Sequence, residues 1–94
     1  MYLEIVTPEA VVFQSEIEAV KVPGIDGEFQ MLNNHAPIVS TLTEGTVKIN
    51  LTASNTEVTS KLSSEFKQEG KELFYHIKGG VLEMKDNKAI ILAD

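Results

Sequence analysis

Apolar and polar residues alternate with a period of two through much of this chain. At the start, Tyr2, Glu4 and Val6 point one way while Leu3 and Ile5 point the other, the pattern of a half-buried strand. A short apolar run, Ala10 to Phe13, follows Thr7-Pro8-Glu9, a turn signal in which proline presets φ and cannot donate to a ladder. From Glu16 to Val22, alternation groups Glu16, Glu18, Val20 and Val22 on one face and Ile17, Ala19 and Lys21 on the other. The second half of this stretch is less cleanly amphipathic, and Pro23-Gly24 ends it. Asp26-Gly27 marks a tight turn before a short strand, because this dipeptide tolerates positive φ. Asn33 to Pro37 is a further break. Ile38–Leu42, Val47–Leu51, Leu73–Ile77, Val81–Met84 and Ala89–Leu92 read as strands. Between the last three lie Lys78-Gly79-Gly80 and Asp86-Asn87-Lys88, both turn-like.

Residues 52–71 differ in composition, being rich in Ser, Thr, Glu, Lys and Gln. Val58, Leu62 and Phe66 at i, i+4 and i+8 fit a short amphipathic helix, and the Thr and Val content equally fits a long polar hairpin arm. Many short strands broken by Gly, Pro and Asn predict an all-β antiparallel sandwich or barrel. At 94 residues the chain is one domain, residues 1–94, with a thin core that partners would supplement.

Composition narrows the function. The formal charge is −6 and all eight cations are lysines, so a nucleic-acid surface of clustered cations is not expected. No cysteine is present, which removes disulfides and thiolate metal sites. No apolar run approaches the ~20 residues needed to span a bilayer as a helix. Asp26, Glu28 and His35 could gather into a metal site, but their spacing matches no ligand motif. His76 lies inside a strand and carries no assigned role. None of the serines sits in a Gly-x-Ser-x-Gly elbow, and neither Gly24-x-x-Gly27 nor Gly79-Gly80 continues into a phosphate loop. These patterns predict a binding part rather than an enzyme, without catalytic residues, cofactor or metal. They do not name the partner; a ligand- or peptide-binding sandwich remains the alternative.

Two segments resemble the epsilon subunit family of bacterial F-type ATP synthases. One is Val20 to Val39, containing Val-Pro-Gly-Ile-Asp-Gly-Glu-Phe and Asn-His-Ala-Pro-Ile. It is similar to the family's glycine-spaced turn and its Gly-His-Ala-Pro-Leu. The other is Tyr75 to Met84 with Lys-Gly-Gly-Val-Leu-Glu-Met, closed by Leu92-Ala93-Asp94. Leu3 to Glu9, with Thr-Pro-Glu, resembles the family start. The likeness covers nearly everything but residues 52–71. Where the family has a third glycine this chain has Gln30. Asn34 replaces the glycine before His-Ala-Pro, and it tolerates left-handed φ better than most residues. Lys78 replaces the Ser of Ser-Gly-Gly.

The resemblance implies a flattened ten-stranded sandwich that serves as a non-catalytic rotor part of a proton-translocating synthase. It implies two partners, the gamma subunit and the polar loops of the c-ring, with Gly27, Glu28, His35, Ala36 and Pro37 as contact residues. It places Glu28 against basic c-ring loops and His35 near the gamma–c-ring junction, with capping of its own turn as the competing role for His35. Membrane association would come only through the complex, on the cytoplasmic side of the bacterial inner membrane. The family's C-terminal two-helix hairpin has no counterpart within these residues, so an ATP site and a hairpin brake are not expected here.

Overall fold

The computed structural model describes residues 1–53 and 65–94. Their regular elements are nine strands: β1 (Tyr2–Val6), β2 (Val11–Gly24), β3 (Gly27–Leu32), β4 (Ile38–Leu42), β5 (Gly45–Leu51), β6 (Phe66–Glu69), β7 (Glu72–Ile77), β8 (Gly80–Lys85) and β9 (Lys88–Ala93). One layer runs β1-β9-β8-β4, and the other contains β6, β7, β5 and β3. The long β2 belongs to both. Its first part pairs with β1, Tyr2 facing Glu16 and Ile5 facing Phe13. Its second part lies between β5 and β3, Val20 facing both Ile49 and Met31. Sequence alternation places two strands here, from Ala10 and from Glu16; the ladder joins them into one. Counting the two parts separately gives ten. Among the described residues all pairings are antiparallel except that of β1 with β9, which brings these two strands together in parallel.

The junction within β2 explains the imperfect alternation. Phe13 and Ile17 are buried, at odd positions, yet Val20 and Val22 are also buried, at even positions. The β2–β5 register shifts between Ile17 and Ala19: Ile17 faces Leu51 and Ala19 faces Asn50. Glu18 is therefore an extra residue, a β-bulge. Such an insertion reverses the inward parity beyond it. A strict period-two reading groups Glu16 and Glu18 with the valines; the bulge separates them, leaving Glu18 exposed.

A single apolar cluster fills the space between the layers. Leu3, Ile5, Val20, Val22, Met31, Val47, Ile49, Leu51, Leu73, Leu82 and Ile91 are wholly inaccessible, and no polar side chain among the described residues is buried. Phe66 stacks between Phe13 and Tyr75, with ring centroids at 6.0 and 4.5 Å. This fixes β6 to the core and settles the described end of the 52–71 region. Phe66–Glu69 is a strand paired with β7, and Gly70-Lys71 turns into it. Val58 and Leu62 lie outside the described residues.

The turns follow their residues. Asp86 and Asn87 both hold positive φ, 53° and 60°, the requirement of a two-residue hairpin whose twist matches its strands. Asn34 has φ 64°, which fits its place where the family has glycine. Gly80 is needed for closeness as well as conformation. At φ 153°, a Cβ there would stand 2.2 Å from the carbonyl oxygen of Leu92.

Candidate functional site

The strand order decides where the sequence-predicted contact residues lie. Gly27 and Glu28 open β3, next to the Ile25-Asp26 turn, whereas His35, Ala36 and Pro37 follow its far end. Six residues at about 3.3 Å each separate the two groups, so they occupy opposite ends of the domain. The structure does not bring Asp26, Glu28 and His35 together, and among the described residues no three His, Asp or Glu side chains converge as a metal site. An extended strand between the loops is the physical reason.

At the Glu28 end, the β2–β3 hairpin tip is held by two backbone hydrogen bonds. The Ile25 amide donates to the Thr41 carbonyl (3.0 Å), and the Thr43 amide donates to that of Pro23 (2.9 Å). Gly24 permits the fit, since a Cβ there would meet the Phe29 ring at 2.7 Å. The tip presents Ile25, which is 63% exposed, beside Asp26 and Glu28. Glu28 is not a free carboxylate: Lys48 Nζ lies 3.4 Å away, with both side chains well exposed. A pair of this kind is worth about 0–1 kcal/mol and exchanges readily for another partner.

At the other end, the loop before β4 is pinned from several sides. The α-amino group of Met1 donates to Ile17 O and Asn33 Oδ1 and pairs with Glu16 at 3.2 Å. The Asn34 amide donates to Asn87 Oδ1 at 2.7 Å. The His35 amide donates to Leu32 O, and its ring Nδ1 stands 2.7 Å from Ala36 O. A carbonyl only accepts, so Nδ1 carries the proton. His35 thus caps its own turn, the local role weighed for it above.

Between these ends lies a further surface. On the outward face of β4, β8 and β9, Val39 is 69% exposed, Val81 41% and Leu92 53%. Register places Val39 beside Glu83 and Ile90, and Val81 beside Leu92, with Val6 of β1 next in that row. A shallow groove of about 240 Å³ is lined by Val39, Val81, Glu83, Ile90 and Leu92. A second, of about 250 Å³, continues from Val39 and Glu83 to Pro37 and Lys85. A third, of about 360 Å³, runs from Val81 and Leu92 to Val6, Thr7 and Pro8. The face is therefore continuous from the His35–Pro37 loop to the β1–β2 turn. Apolar residues on the solvent side of a sheet mark an interaction surface when they adjoin one another. The sequence signal was available: Ile90-Ile91-Leu92 and Val81-Leu82 are apolar at successive positions, so at least one member of each must face away from the core.

Among the described residues, the remaining titratable groups lie on the surface or apart from one another. His76 Nε2 is 3.3 Å from Glu44 Oε2, both exposed. Tyr75 has its phenol held above its ordinary value of 10.0, chiefly by burial and then by the negative charges of Glu65 and Glu9.

Among the described residues, the fold and its surface define a small β-sandwich domain whose developed features are two loop ends and an outward apolar face. The chain belongs to the family of the β-sandwich domain of the ATP synthase delta/epsilon chain, whose model matches residues 1–60. A protein of Desulforamulus reducens named ATP synthase epsilon chain is 38% identical over 92 residues, covering 98% of this chain and 57% of its own. One of Chlorobium limicola with the same name is 34% identical, covering 98% of this chain and 86% of its own. The chain thus spans little more than half of the first relative. A chain in the Euglena gracilis mitochondrial ATP synthase, a structure of OSCP, F1 and c-ring, matches the fold with TM-score 0.70, at 19% identity, over 97% of this chain and 48% of its own. One from the central stalk and c-ring of the Tetrahymena thermophila mitochondrial enzyme matches with TM-score 0.66, at 16% identity, over 98% and 61%.

Proposed function

We propose that this domain, residues 1–94, is a non-catalytic rotor part of a proton-translocating F-type ATP synthase, docked between the gamma subunit and the c-ring. Its family and the central-stalk context of its fold relatives support the reading. The observation that carries the partner assignment is the outward apolar face of Val39, Val81 and Leu92. Adjoining exposed apolar residues mark a surface for a partner, and this face gives gamma an apolar seat. The His35-Ala36-Pro37 loop continues that seat at one end. At the opposite end, the hairpin tip with Ile25, Gly27 and Glu28 meets the polar loops of the c-ring. There Glu28 exchanges Lys48 for a cation of the ring, setting register more than strength. The described core, one apolar cluster between the layers, suits a part that transmits torque without winding up, because protein interiors resist compression. Attachment to the cytoplasmic side of the bacterial inner membrane follows through the complex.

The test is co-purification of the tagged chain with gamma, with and without Val39→Asp plus Leu92→Asp. Both side chains face solvent, so the doubly substituted chain should fold and lose gamma. Undiminished binding to gamma would move the seat to another face. Glu28→Lys should leave gamma binding intact and weaken association with the c-ring.

A further inference from the structure

The opposite face of the domain carries a row of cations. Across the second layer, register aligns Gln30 of β3, Lys21 of β2, Lys48 of β5, Phe74 of β7 and Lys67 of β6 in one row. Their inward neighbours Val20, Val47, Ile49, Leu73 and Tyr75 are buried, so the row faces outward. Three of the eight lysines of a chain with net charge −6 stand in this row. Lys21 and Lys48 are directly opposite, an arrangement that disfavours the sheet because like charges repel across strands. Among the described residues only Lys48 of the three has an ion pair, with Glu28. Phe74 is half-buried, an apolar platform between two lysines. On one side the row is bounded by Glu72 facing Glu69, which would repel an acid placed one row over.

We infer that this row docks an acidic helical segment of a partner protein. Spacing decides for a helix. Adjacent strands are about 4.8 Å apart, so Lys21, Lys48, Phe74 and Lys67 stand at about 0, 5, 10 and 14 Å across the sheet. A helix rises 1.5 Å per residue, so residues i, i+3, i+7 and i+10 fall at about 0, 4.5, 10.5 and 15 Å, on one helical face. Acid, acid, leucine and acid at those positions meet lysine, lysine, phenylalanine and lysine in order. An extended segment presents same-side residues every ~6.7 Å and misses the first spacing. The row lies on the layer opposite the apolar face, so the inference stands whether or not gamma occupies that face.

The probe is a synthetic alanine-based helix with Glu at i, i+3 and i+10 and Leu at i+7, against a shuffled peptide of equal composition. Binding is read by fluorescence anisotropy at low ionic strength, where exposed charges are least screened. The patterned peptide should bind saturably and more tightly than the shuffled one. Lys21→Gln/Lys48→Gln/Lys67→Gln should weaken it about tenfold, the combined effect of three exposed pairs. Lys78→Gln/Lys85→Gln/Lys88→Gln, of identical net charge, should change it by less than about twofold. Circular dichroism checks that both variants retain strand structure, and neutral glutamine avoids adding acids beside Glu28 and Glu72. Equal loss in the two variants, equal affinity for the shuffled peptide, or preference for phosphatidylglycerol vesicles over the peptide overturns the inference.

Discussion

Deleting Glu18 should cost this domain far more than any substitution at that position. Glu18 is exposed and is the extra residue where β2 passes from one layer to the other. Without it, parity in the second part of β2 reverses: Val20 and Val22 turn away from the core and Lys21 turns toward it. Each valine is fully buried, and exposing one loses roughly 1.5–2 kcal/mol. The two together lose about 3–4 kcal/mol, and desolvating the Lys21 ammonium adds several more. The sum rivals the whole stability of a small domain, roughly 5–10 kcal/mol. The deletion should therefore unfold the chain or lower its stability by more than about 4 kcal/mol. Glu18→Ala keeps the bulge and should stay within about 1 kcal/mol. Urea titrations of both variants, followed by circular dichroism, make the comparison. If the deletion is as stable as Glu18→Ala, the bulge does not set the inward parity of β2 and the account of this strand is wrong.

Other outcomes follow from the same geometry. Gly80→Ala places a Cβ 2.2 Å from a backbone oxygen of β9 and should cost about 2–3 kcal/mol. That appears as a Tm drop of about 10–20 °C in calorimetry. Phe66→Ala removes the ring between Phe13 and Tyr75 and should cost about 2 kcal/mol. It should also increase amide exchange selectively along β6, whereas uniform exchange would show that β6 is held otherwise. Tyr75 keeps its proton to higher pH when folded than when unfolded. Its contribution to stability is whole below about pH 10 and is lost as pH rises toward the higher folded value. Tyr75→Phe should flatten the alkaline limb of stability against pH; an unchanged limb would assign that loss to other groups.

Much of the architecture is legible in the chain itself. Alternation at Leu3/Ile5, Val47/Ile49/Leu51 and Leu73/Tyr75/Ile77 names the inward residues correctly, because each of these strands has one dry face and one wet one. The turn residues are equally local in origin: Asn34, Asp86 and Asn87 sit at positive φ, which their short polar side chains tolerate. What the sequence could not give is anything decided between strands. The bulge at Glu18 is defined only against Leu51 and Asn50 of β5. The short strand between Glu28 and His35 is announced by the Asp26-Gly27 turn, but its pairing with β2, which fixes the ends of the domain they occupy, is decided only between strands. The outward apolar face joins Val39 of β4 to the β8–β9 hairpin of Val81 and Leu92 through β4–β8 pairings such as Val39 with Glu83, far apart in the chain, and the lysine row draws on β2, β5 and β6 alike. Local periodicity reports which side of its own strand a residue occupies; hydrogen bonding between distant segments decides which residues become neighbours, and surfaces are made of neighbours.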